Sequence, residues 1–241
     1  MWARLVAVCL GLAACTPMPV ADVPMATTPP PVVIQQTEVP PKLSTRAAVA
    51  NFNTAIARIE PVAESLCRRR APGLNCDFRV IVDDRPGLPV NAYQTLDRQG
   101  RPVIAFTLAL IAEARNRDEI AFVIAHEAAH HIEGHIARQQ QNAALGAVLV
   151  GTLAGVMGAS DATTIDNATR LGATVGARSY SKQFELEADA TGTRIAAAAG
   201  FDPLRGAQFF FRIPDPGDRF LGTHPANADR LRTVERVAAG L

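Results

Sequence analysis

A mostly helical α+β domain with a small sheet is what the sequence predicts, on three observations. After residue 43, apolar residues recur at three- and four-residue steps over most of the chain, as half-buried helices require. Alternating extended runs are confined to residues 78–107. The 241 residues are 48% apolar and only 5% aromatic, which fits one globular domain carrying appended segments. The 24 Lys and Arg are balanced by 23 Asp and Glu, so no positive field awaits a phosphate backbone and no nucleic-acid partner is expected.

The first segments lie outside that domain. Residues 1–14 hold one cation, Arg4, and an apolar run Leu5–Ala13, far shorter than the roughly 20 residues that cross a bilayer. They read as an export signal. The signal closes in Leu12-Ala13-Ala14-Cys15, which resembles the lipobox of bacterial lipoproteins, and that resemblance makes Cys15 the lipidated first mature residue. Thr16, standing where Asp would favour inner-membrane retention, points to the outer membrane. Two or more acyl chains give stable anchoring, so the expected place is the periplasmic face of the envelope. Residues 15–42 then form a tether, with eight of the 17 prolines between positions 16 and 41.

Residues 43–241 form the domain. Ser44 is placed to cap a helix carrying Val49, Phe52, Ile56, Ile59 and Val62, with Pro61 inside it. Cys67 and Cys76 are the even pair left once Cys9 departs with the signal and Cys15 is lipidated. In an oxidising compartment they are expected to bridge. Residues 78–82 alternate as a strand, and 89–95 with 102–107 read as a hairpin around Asp97-Arg98-Gln99-Gly100. A helix begins near Thr107 and another near Asp118; later helices cover about 180–199, 203–213 and 225–239.

The second of these helices runs into His126-Glu127-Ala128-Ala129-His130. Two imidazoles one turn apart can each give a nitrogen to a single zinc ion, and Glu127, about 100° round the helix, reaches a metal-bound water as general base without being a ligand. His131 and His135 are expected to point away from this pair, either exposed or in the shell behind the ligands. The metzincin extension is absent, since Glu133 and Ile136 stand where its glycine and third histidine would be. The third ligand must come from elsewhere. Downstream, Glu185 and Asp189 share a helical face: Glu185 suits the ligand, and Asp189 suits an acceptor for the free N–H of a ligating imidazole. Glu187 projects from another face.

These three motifs, with His224-Pro225 and Arg230 after them, resemble the zinc endopeptidases that include HtpX, the CAAX prenyl proteases and small periplasmic lipoprotein proteases. Asn91-Ala92-Tyr93 resembles that family's strand ahead of the metal helix, and the likeness covers about residues 45–235. It implies a zincin-like (gluzincin) fold with the sheet beside the metal-binding helix, and one zinc ion held by His126, His130 and Glu185. It further implies Glu127 as base, and His224 with Arg230 lining the site near the developing oxyanion. Lys182 departs from the arginine of many relatives.

Between the ligands, residues 139–160 carry no charge and include four glycines. A bilayer crossing there would put two ligands of one ion on opposite sides, so a buried helix or hairpin beside the site, acting as a lid, is expected instead. The expected activity is hydrolysis of unfolded or extended proteins, with the hairpin offering an edge to which a substrate strand adds. The rival expectation is an envelope chaperone or assembly factor whose zinc is structural or latent, His224 filling the fourth position.

Overall fold

The computed structural model describes residues 40–178, 181–212 and 225–241. The export signal, Cys15, most of the tether and His224 lie outside the described residues.

Helix α1, Thr45–Arg70, starts where Ser44 Oγ accepts the Ala47 N–H at 3.3 Å, and it ends on Arg68, Arg69 and Arg70, cations that suit the negative end of a helix dipole. Its buried stripe is Ala48, Phe52, Ala55, Ile59, Ala63 and Cys67. That corrects the expected stripe: Val49 is 48% exposed, because small alanines let α1 lie close against the next long helix. Cys67 and Cys76 are bridged, their Cα atoms 5.7 Å apart, and this ties the end of α1 to the sheet's first strand.

Strands β1 (Arg79–Asp83), β2 (Ala92–Leu96) and β3 (Pro102–Thr107) form one sheet in the order β1-β3-β2. The hairpin β2–β3 is antiparallel, Tyr93 opposite Ala105, whereas β1 runs parallel to β3. Central β3 is buried along its whole length, leaving β2 as an edge strand. Asp97 Oδ1 accepts N–H groups of Gln99 and Arg101, which closes the turn with Gly100 at φ 76°.

Helix α2 is Leu108–Glu113, capped by Thr107. Helix α3, Arg117–Ile132, is capped by Asn116, which accepts from Asp118 and Glu119 at 3.0 Å. It runs through the core, buried on nearly every side. Ile120, Phe122 and Ile124 are fully buried, and the helix as a whole packs on α1, β3 and the helices that follow. Helix α6 is Ser181–Ala198, α7 Pro203–Ala207, followed by a tight 3-10 turn at Gln208–Arg212, and α8 is Asn227–Ala238. The expected helix over 203–213 thus tightens halfway. Phe209 and Phe210 are buried in that turn while Arg212 reaches back to the buried Glu119 at the start of α3.

The uncharged insert behaves differently from expectation. Most of it lies in α4 (His135–Val156), which pairs with α5 (Ala162–Arg178) and leaves Leu145, Val148, Leu149 and Leu153 more than half exposed. The pairing consumes the glycines instead of a buried core: a Cβ on Gly146 would sit 2.1 Å from the Gly172 carbonyl oxygen, so the two backbones touch. Gly151 also meets α5, through Thr169, but Gly155 has nothing within 4 Å. Among the described residues no helix is long and apolar enough to cross a membrane.

Replacing Cys67 and Cys76 by Ser should lower unfolding free energy by about 2–3 kcal/mol, the chain entropy of so short a loop, in denaturant titration.

Candidate metal centre

His126 and His130 stand one turn apart on α3 and face α6, which supplies Glu185 and Asp189 one turn apart on its own surface. The helices approach closely because position 192 is glycine: a Cβ there would lie 3.0 Å from the His126 backbone nitrogen. His126 Nε2 and His130 Nε2 are 3.0 Å apart, and the Glu185 carboxylate oxygens lie 3.5 Å from the first and 3.4 Å from the second. Ligands at about 2.0–2.1 Å from a tetrahedral ion sit roughly 3.3 Å from one another, so the three donors fit one zinc-sized cation. Two imidazole nitrogens and a carboxylate converge on one point, a set of ligand atoms that suits a divalent cation.

The shell behind them orients the set. Asp189, fully buried, takes the His126 Nδ1–H at 2.9 Å, which turns the Nε2 lone pair inward. Arg230 donates to Asp189 from Nε at 2.8 Å and from Nη2 at 2.7 Å, with its guanidinium 3.5 Å from the Phe210 ring centroid. The resemblance placed Arg230 near a developing oxyanion. Arg230 lines the cleft with the three candidate ligands, and two of its N–H groups go to Asp189, so it also steadies His126 through that carboxylate.

Burial opposes a charge on His126, but hydrogen bonds to Asp189 and Glu185 overcome it and lift its pKa to about 9. His130 moves the other way, to about 3, through burial and the neighbouring positive His126. Burial favours the protonated acid of Asp189, yet the adjacent Arg230 charge and its hydrogen bonds win and hold the pKa below the usual value.

Glu127 lines the same cleft, a cavity of about 680 Å³ that runs from the three ligands to Asn91–Gln94 at the edge of the sheet, with Phe209 and Phe210 on another wall. His131 turns away, as expected, to the Asn75 carbonyl oxygen at 2.7 Å. His135 does not: it is 4% exposed, with Nδ1 2.8 Å from His130 Nδ1 and Nε2 3.1 Å from Glu187. The helical projection that sent it outward fails because α3 ends at Glu133. Gly134, at φ 66°, swings the chain so that α4 begins with His135 facing back. The signal in the sequence was that glycine, set between two histidines.

A small sheet against a mostly helical body, with a two-histidine helix facing an acidic one, defines a zincin-like metallopeptidase domain. Residues 53–238 match Peptidase family M48, and the chain belongs to that family. The match supports the family as a whole, not its HtpX or CAAX branch. A beta-barrel assembly-enhancing protease of Escherichia coli O157:H7 is 32% identical over 144 residues, covering 54% of this chain and 29% of the relative. One from Yersinia pestis is 32% identical over 149 residues, with the same coverage. The mitochondrial metalloendopeptidase OMA1 of Saccharomyces cerevisiae is 27% identical over 214 residues, 84% of this chain and 58% of the relative. The chain therefore spans less than a third of the bacterial relatives' length.

Because His126 is raised, its contribution to the stability of chelator-treated protein is complete below about pH 6.5 and lost as pH rises through about 9. Denaturant melts from pH 6 to 10 should show that loss in the native protein and a flatter profile in His126→Gln; identical profiles would contradict the assignment.

Proposed function

We propose that this chain is a zinc-dependent endopeptidase of the bacterial envelope that cleaves extended or unfolded protein segments. The observation that carries this reading is the meeting of His126, His130 and Glu185 donors beside Glu127, in a cleft bordered by an edge strand. Zinc suits a nitrogen-rich set with one carboxylate. When bound, it supplies Lewis-acid polarisation of the scissile carbonyl and a water acidified towards neutral pH.

The chain's own residues do the rest. Glu127 takes the proton from the attacking water and delivers it to the leaving amine. Asp189, itself fixed by Arg230, keeps the His126 Nε2 lone pair aimed at the ion's position. Phe209 and Phe210 supply apolar wall that excludes competing water. His224 as donor to the developing oxyanion belongs to the same proposal.

An extended substrate fits best as an added strand on β2, where main-chain hydrogen bonds hold it across the cleft. Gln94 supports this. The residue lines the cavity on β2, and its side-chain Oε1 has no hydrogen-bond donor among the described residues. Strand addition demands an unfolded or extended substrate, because a folded one has its backbone groups already paired.

The envelope setting rests on the export signal and the Cys15 lipobox in the sequence. The names of the bacterial relatives, which join a protease to beta-barrel assembly, agree with it.

Glu127→Gln should leave zinc content unchanged and lower kcat on an unfolded reporter protein by about 10²-fold or more. Equal cleavage by the variant would overturn the mechanism.

A further inference from the structure

We propose that His135 and Glu187 form a relay that dictates which nitrogen of His130 is available to the metal, making both of them positioning residues. This inference rests on the zinc-site reading above and concerns residues that never touch the ion.

Proton placement follows from the outside inward. The Glu187 carboxylate can only accept, and it takes hydrogen bonds from Arg138 and from Gln183 Nε2 at 2.8 Å. His135 Nε2, 3.1 Å from Glu187 Oε2, must therefore carry the proton of that ring. A neutral imidazole has only one N–H, so His135 Nδ1 presents a lone pair. His130 Nδ1 lies 2.8 Å from it, and two lone pairs do not face each other at that distance. His130 Nδ1 is thus the protonated nitrogen and donates outward. Its Nε2 is left as a lone pair directed at the point shared with His126 Nε2 and Glu185. Had the proton stood on Nε2, His130 could not be a ligand.

His135 is held for this task. Its ring stacks on Phe184 with centroids 4.6 Å apart and planes within 10°, and the Arg138 guanidinium lies 4.3 Å from the same Phe184 ring centroid. At the outer end of the relay the charge of Arg138 balances that of Glu187. Phe184 precedes Glu185 on α6, so one stretch of chain supplies a ligand and the platform for the relay. The arrangement parallels Asp189 behind His126: each ligating imidazole has an acceptor on Nδ1, one a carboxylate directly, the other a carboxylate reached through a second imidazole.

The test measures zinc affinity of the full chain by competition with a chromophoric chelator. His135→Phe keeps a ring on Phe184 but removes the acceptor, and Glu187→Leu removes the group that sets the tautomer; each should weaken zinc binding by roughly 10- to 100-fold. Glu187→Gln loses the ion pair with Arg138 but can keep an oxygen facing His135, so its affinity should stay close to that of the native chain. Native affinity in His135→Phe would overturn the relay, as would an equal loss in Glu187→Gln and Glu187→Leu, which would reduce Glu187 to an ion-pair partner. ¹⁵N spectra of the zinc-free native chain supply a readout independent of variant folding. His130 should show a protonated Nδ1 and a lone pair on Nε2, and the reverse tautomer would overturn the proposal. If the native chain binds no zinc at all, the metal-site reading itself fails, an outcome distinct from tight binding that ignores His135.

Discussion

The contact between α3 and α6 is the constraint on which the rest of the structure depends. His126 and His130 reach only as far as imidazoles do, so the carboxylates of Glu185 and Asp189 meet them only if the two helix backbones nearly touch. Gly192 permits that approach by leaving its Cβ place to the His126 backbone. The residues buried around the contact are costly. Asp189, Arg230 and His126 are all withdrawn from water, and a buried ion pair seldom outperforms an apolar packing of the same size in stability alone. What the triad provides is orientation. A carboxylate that is itself pinned from two directions fixes one imidazole tautomer, and an imidazole pinned by Glu187 fixes the other.

Placing an insert between the two halves of a metal site raises a geometric problem that α4 and α5 solve by returning the chain. The excursion leaves α3 at Gly134 and comes back to α6 as an antiparallel pair, so the ligand-bearing helices keep their contact whatever the pair does. Its glycines serve the pairing itself. Its exposed leucines and valines sit on a face that the core does not use.

Much of this was legible beforehand because it is local. The four-residue spacing of His126 and His130, the same spacing of Glu185 and Asp189, the β2–β3 hairpin about Asp97–Gly100 and the Cys67–Cys76 bridge all follow from periodicity or short-range chemistry. What escaped was tertiary. Hydrophobicity marked Val49 for the core of α1, but close helix packing favoured alanines instead. The insert looked buried because charge was missing, yet glycine-mediated pairing accounts for part of the same composition. His135 was projected away from the pair by extending a helix that Gly134 in fact ends, and the pairing of Arg230 with Asp189, 41 residues apart, has no signal in local spacing.

The central claim is that α3 and α6 jointly hold one ion. X-ray absorption at the zinc edge of the zinc-loaded full chain, compared with Glu185→Ala, addresses it most directly. The account predicts two imidazoles and one carboxylate around the metal in the native chain, and loss of the carboxylate with weakened retention in the variant. An unchanged coordination shell in Glu185→Ala would contradict it.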